Sequence, residues 1–224
     1  MSIENRFTKI INEISGKTNT PFDIFLEGII NSYIENSDIH TLKDLKTNTK
    51  VKGDLFELFC KKYLSIILKY DKVWLLNEIP PDIREQLGLG ERDLGIDLVV
   101  YNSKTNKYSA VQSKFKKSRS GLVPGTWIPY NCVNWSQLST FYSLCSRTNN
   151  NDWEKCIVMT NAKYVRRMGM KKSTDMSICY AKFKKLSNID FLSFISTPQK
   201  IEEKSDKLSL EELRKKRIEK FSNI

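Results

Sequence analysis

Asp97, Gln112 and Lys114 put one acid, one amide oxygen and one amine on two neighbouring β-rich runs. Alternation places Asp97, Val99 and Tyr101 on one face of the first run, and Ala110, Gln112 and Lys114 on one face of the second. The polar segment between them, Asn-Ser-Lys-Thr-Asn-Lys at 102–107, is dense in turn formers, so the two runs should form a hairpin. If Tyr101 pairs with Tyr108, Asp97 lies opposite Gln112, with Cβ atoms about 5 Å apart. Lys114 is the next residue along on the same face. A one-residue slip would move Gln112 and Lys114 to the other face. A carboxylate and a carbonyl oxygen suit a hard cation such as Mg²⁺, which takes oxygen ligands and keeps several waters. A cation there could offset charge on a phosphate ester and supply hydroxide for its hydrolysis. Lys114 would orient the attacking water and stabilise the developing negative charge. Asp97 would be the direct ligand and Gln112 the weaker, neutral one. Glu57 would bring the second negative charge, directly or through water. An ammonium beside two carboxylates is not cast as a general base.

Glu57 belongs to a helix expected from Gly53-Asp54 to about Tyr70, with an apolar arc of Phe56, Phe59, Cys60, Tyr63, Leu64, Ile67 and Leu68. At 100° per residue Glu57 falls between the directions of Leu64 and Leu68, at the edge of the buried face. A carboxylate there needs a partner. The bland alternative is an exposed pair with Lys61 one turn on. Lys72 to Glu78 reads as a short strand broken by Pro80-Pro81. The loop that follows, rich in glycine, carries Asp93, read as an ordinary loop residue. The hairpin strands are expected over Ile96–Tyr101 and Tyr108–Phe115. A helix from Ser136 to about Arg147 leads to the apolar strand Cys156–Thr160, which implies a right-handed crossover onto a parallel partner. A further strand is expected near 178–183, and a short helix near 187–195. Residues 1–50 read as a helical extension with two stripes, Ile3 to Ile14 and Phe22 to Tyr33. From Pro198 the chain is polar, and 208–218 would be an exposed helix in a charged tail or linker.

The chain has 224 residues, 37 basic and 26 acidic, for a formal charge of +11. That balance favours a polyanion, nucleic acid before membrane. From Asn102 to Asn134 there are six basic residues and no acid. From Lys163 to Lys185 eight basic residues face Asp175 alone. Lys116, Lys117, Arg119, Arg166, Arg167, Lys171 and Lys172 are the candidate DNA contacts. Trp127, Tyr130 and Trp135, which follow or interleave, offer rings for bases or for the core. Five scattered cysteines, with no Cys-x-x-Cys pair, and the single His40 argue against a zinc site. Free cysteines suit a reducing, intracellular setting. No run approaches a membrane span, and the start lacks a signal-peptide pattern.

The order helix with Glu57, strand, strand opening at Asp97, strand with Gln112-Ser-Lys114, helix, strand resembles the PD-(D/E)xK nuclease core of restriction endonucleases. The details look most like its Mrr-like branch, in which Gln replaces the usual acid. The motifs stand here as Gly53-Asp-Leu-Phe-Glu57, Gly95-Ile-Asp97 and Gln112-Ser-Lys114. Their context is similar to nuclease domains of type ISP restriction enzymes and to nuclease-like domains that precede helicases in large DNA viruses. Ile96 stands where the superfamily's motif has Pro. The resemblance implies an α/β fold, a restriction-endonuclease-like αβββαβ core with a mixed central sheet over 51–197, behind the helical extension and before the tail of 198–224. It implies a Mg²⁺-dependent DNA endonuclease, with Mn²⁺ as a substitute, in which Glu57, Asp97, Gln112 and Lys114 are catalytic and the first three hold the metal. Double-stranded DNA is the expected partner. A helicase or motor domain in a larger assembly, or a second copy, would be compatible. The setting would be cytoplasm, or nucleus or viral factory for a viral protein. A DNA-binding module without cleavage is the alternative, and a junction-resolving or repair nuclease on the same core is a third reading. The chain has no Gly-x-x-x-x-Gly-Lys-Ser/Thr loop and so no motor of its own.

Overall fold

A computed structural model describes residues 1–14, 20–32, 42–90, 95–117, 131–147, 153–166 and 174–196. Two helices come first, α1 (Ile3–Ile14) and α2 (Pro21–Asn31). Each buries one stripe, Phe7, Ile10, Ile11 and Ile14 in α1 and Phe22, Ile24, Phe25 and Ile29 in α2. Gly28 lets the two helices approach, since a Cβ there would stand 2.5 Å from the Ile10 side chain. Helix α3 (Leu42–Lys62) begins about three turns before the expected start and runs without a break through Gly53 into a π-helical turn, Tyr63–Ile67. Nothing stands within 4 Å of where a Gly53 side chain would begin, so the helix surface is open there.

The main sheet has five strands, β1 (Lys72–Leu75), β2 (Leu98–Asn102), β3 (Lys107–Lys114), β5 (Cys156–Thr160) and β7 (Asp175–Ile178), in that spatial order. Between β3 and β5 lies the short β4 (Cys132–Val133), which pairs in parallel with β6 (Tyr164–Val165) as a separate ribbon. β1, β2 and β3 are antiparallel neighbours, while β3, β5 and β7 run parallel. The sheet is therefore mixed, as expected. Helix α5 (Ser139–Arg147) makes the crossover between the parallel β3 and β5.

Three local expectations differ. Helix α4 (Pro81–Gln86) stands where the Pro pair suggested only a break. Proline at a first helical position loses no hydrogen bond and has its φ already set. β1 ends at Leu75 and gives way to a 3₁₀ turn, Leu76–Glu78. β7 ends at Ile178, and Cys179 opens helix α6 (Tyr180–Phe183) in place of a longer strand. The turn into α6 carries Phe183 into the core, 5.0 Å from the Phe22 ring and 5.1 Å from Phe59. Helix α7 (Asn188–Ser193) follows, opened by a reciprocal cap between Ser187 and Asp190.

Each face of the sheet has its own core. Leu98, Val100, Val111, Ile157 and Met159 face α1, α2, α3, α6 and α7. Val99, Ala110 and Val158 face α5 and the segment before β2. The candidate site lies where these faces meet at one end of the sheet. Among the described residues no helix is long and apolar enough to cross a membrane.

Candidate active site

The hairpin register is the one that the sequence predicts. Tyr101 pairs with Tyr108 and Leu98 with Val111. Asp97, one residue before β2, therefore stands opposite Gln112. The side chains meet, with Gln112 Nε2 donating to Asp97 Oδ2 at 2.9 Å. The Ser113 backbone N–H donates to the same oxygen at 2.6 Å. The backbone continues the sheet on both sides, through Asp97 N–H to Val111 O and Leu76 N–H to Asp97 O, each 2.9 Å. Asp97 is 8% exposed and Gln112 2%, so the pair is buried and its geometry is held by the sheet.

Gly95 makes this approach possible. Its φ is +116°, and a Cβ there would lie 3.2 Å from the Phe141 backbone nitrogen and 3.6 Å from Gln112 Oε1. A side chain would be strained by the backbone and would press on α5, in ordinary contact with the Gln112 amide.

Glu57 comes from the other side. Helix α3 packs on the Val111 face, and Glu57 and Asp97 line one cavity of about 520 Å³. Ile3 and Glu4 of α1, Lys50, Asp54 and Leu58 of α3, and Leu75 to Asn77 complete it. The Cys60 thiol, fully buried beneath, is pushed well up by burial and then by the charges of Glu57 and Asp97. Such a thiol is inert. Asp54 is raised by burial, against the pull of Lys50. Lys61, one turn on from Glu57, pairs with both carboxylate oxygens of Glu78, at 2.7 and 2.5 Å.

Lys114 closes β3, half-buried, two residues beyond Gln112 and thus of the same parity. The strand end is held by two residues that the sequence alone does not single out. Thr160 Oγ1 donates to Lys114 O at 2.7 Å. Asn161 grips Lys116 twice, Oδ1 accepting from its N–H and Nδ2 donating to its C=O, both at 2.7 Å. The signal that could have found them is the parallel partner, since Thr160 lies beside Lys114 in the β3–β5 register. Lys116 Nζ reaches Gln137 Oε1 at 3.1 Å, in the 3₁₀ turn before α5. Burial first, then Lys114, lowers the Lys116 ammonium.

The acid-free run of 102–134 does not make one surface. Lys104 and Lys107 sit at the hairpin turn, a strand length of roughly 23 Å from Lys114. Lys116 and the exposed Lys117 lie at the site end. Arg166 follows β6 at that same end, its N–H bonded to Val133 O at 2.7 Å. Trp135 stacks on Tyr142, centroids 5.1 Å apart, and so belongs partly to the α5 packing. Arg119, Arg167, Lys171, Lys172, Asp93, Trp127, Tyr130 and His40, like the tail of 198–224, lie outside the described residues.

The donors at hand are hard oxygens. The amide of Gln112 presents nitrogen to Asp97, and half a turn about its last bond would present Oε1 instead. With Asp97 and the Glu57 carboxylate across the cavity, that set fits a Mg²⁺-type ion. Among the described residues no three His, Cys, Asp or Glu side chains form a ready cluster. A family model described as Restriction endonuclease, of the Mrr catalytic type, matches residues 64–201, well over half of the chain. The match includes Asp97, Gln112 and Lys114 and begins after Glu57. Comparison with curated proteins and with solved structures returns no match.

Proposed function

The chain belongs to the Mrr-type restriction endonuclease family, and on that premise we propose that it is a metal-dependent DNA endonuclease that cuts at Asp97. The observation that carries this reading is the buried Asp97–Gln112 pair, whose Asp97 lines one cavity with Glu57. Asp97, Gln112 and Glu57 would hold the cation, Mg²⁺ with Mn²⁺ as substitute. When bound, a divalent ion supplies charge neutralisation on the phosphate and a hydroxide from its water. Asp97 Oδ2 is anchored by two N–H donors, which fixes the direction of the carboxylate. Lys114 aims an ammonium at the reacting phosphate and orients the water. Lys116, Lys117 and Arg166 neutralise flanking phosphates of double-stranded DNA.

A supercoiled plasmid incubated with the protein and Mg²⁺ or Mn²⁺ should become nicked or linear, and EDTA should prevent it. Binding without nicking, whatever the divalent ion, would leave the second reading, a DNA-binding module that serves a larger machine. One observation favours that reading: the described residues have no ready three-ligand cluster, and Asp97 already accepts two hydrogen bonds.

A further inference from the structure

Helix α3 presents a second stripe, turned away from the cavity. Asn48, Lys52 and Phe56 follow one another at i, i+4, i+8, on one side of the helix. Phe56 is fully buried and packs against Phe115, ring centroids 5.7 Å apart. Phe115 belongs to the α3-side core, whereas Lys116, the next residue, reaches Gln137 before α5. The chain thus still alternates beyond β3, and Lys117 returns to the side of Phe115. Lys52, one helical turn before Phe56, lies on that same side of the helix. Lys52 is half-buried, and its ammonium is lowered by burial first and then by the charge of Lys117. Among the described residues no ion pair to either ammonium forms.

Two like charges held together, one of them partly desolvated, oppose folding. An anion between them would offset this. Asn48 points the same way, since its buried Oδ1 has no hydrogen-bond partner among the described residues. Turned over, that amide offers an N–H to the same anion.

We propose that Lys52 and Lys117 form a two-ammonium fork for one backbone phosphate of the nucleic acid. The fork rests on the nuclease reading for its ligand, but it uses none of the metal-site residues. It also gives α3 a role in substrate binding from a position outside the stretch matched by the family model.

The test is binding of a fluorescent duplex in Ca²⁺, followed between about 50 and 200 mM salt. Lys52→Met and Lys117→Met keep the apolar stem and remove the charge. Lys72→Met, at the far end of β1 where Lys72 pairs with Tyr101, is the control. The double variant should lose about 0.9 from the slope of log K against log salt, the share of one phosphate and not of two. Lys52→Met should melt no lower than wild type without DNA, because a repulsion is relieved. Wild-type binding with an unchanged slope in the double variant overturns the fork alone. Lower melting of Lys52→Met with an unchanged slope also overturns it and makes Lys52 structural. Wild-type protein with no salt-dependent binding overturns the fork and the nucleic-acid reading together.

Discussion

At the residue scale the unusual feature is a neutral amide where two acids would otherwise face each other. Gln112 Nε2 donates to Asp97, so the buried carboxylate has a neutral polar partner. Asp97→Ala removes the acceptor for two buried N–H groups, which costs about 1–3 kcal/mol for a group left unpaired. On the proposed metal-dependent reading, Mg²⁺ or Mn²⁺ should raise the melting temperature of wild type, and Asp97→Ala should abolish both that rise and cleavage. Gln112→Glu makes the opposite exchange. Two carboxylates in contact repel, so the apo variant should melt below wild type, and the metal-dependent rise should be larger. Cleavage should be retained, since Glu-x-Lys is the commoner pattern of the superfamily. Lys114→Ala should keep the metal-dependent rise while losing about 10²–10³ in rate. Thermal melts with and without metal, beside plasmid cleavage, read all three variants. An identical metal response in wild type and Asp97→Ala would remove Asp97 from the site. The Asp97–Gln112 contact was legible because a six-residue polar turn between two β-rich runs leaves few registers. Lys52 was not legible, because nothing in its spacing shows which strand end its helix side will meet.

At the scale of elements, the end of β3 matters most, since it carries Lys114 to Lys117 past the edge of its ladder. The β3–β5 pairing stops at Lys114 and Thr160. Asn161 then imitates a strand neighbour, satisfying both backbone groups of Lys116 with one side chain. Asn161→Ala leaves those groups without their partner in a part-buried place and frees the strand end. We expect a lower denaturation midpoint, weaker DNA binding and an unchanged metal response, because Asp97 and Gln112 sit further back in the ladder. Asn161→Asp keeps the acceptor and loses the donor, and it should fall between the two. Urea titration and duplex binding decide, and an Asn161→Ala protein that binds duplex as wild type does would show that the clamp positions nothing. The strand and helix order was legible from hydropathy periods, including β5 and its crossover helix. The π-helical turn, α4 and the β4–β6 ribbon were not. Each is two to six residues long and carries too few side chains to show a period.

At the scale of the whole molecule, the two ends of the described chain hold each other. Phe22 and Phe25 of α2 pack on Phe183 of α6 and Phe191 of α7, with ring centroids 5.0 and 5.6 Å apart. Phe59 of α3 lies among them. The helical extension therefore shares one core with the helix that carries Glu57 and with the end of the family-matched stretch. A hydrogen bond seals this contact at the surface, from Tyr180 Oη to Asp23 Oδ1 at 2.7 Å, while Thr20 Oγ1 donates to the other oxygen. Burial, then the bond to Asp23 and its charge, push the Tyr180 phenol up to about 12 from an ordinary 10.0. A phenol with a raised folded pKa holds its proton more tightly in the native state. Its stabilising share is whole below the unfolded value and is lost as pH rises through the folded one. Wild type should therefore lose stability against urea between about pH 10 and 12 faster than Tyr180→Phe. At neutral pH the variant should be the weaker of the two, having lost the bond. Above the window the order should reverse, because a phenolate would face the Asp23 carboxylate. Tyr180 is half-buried, and the difference between the two urea midpoints against pH is the quantity to follow. Parallel curves for the two proteins over the whole range would mean that this bond contributes nothing to holding α2 against α6.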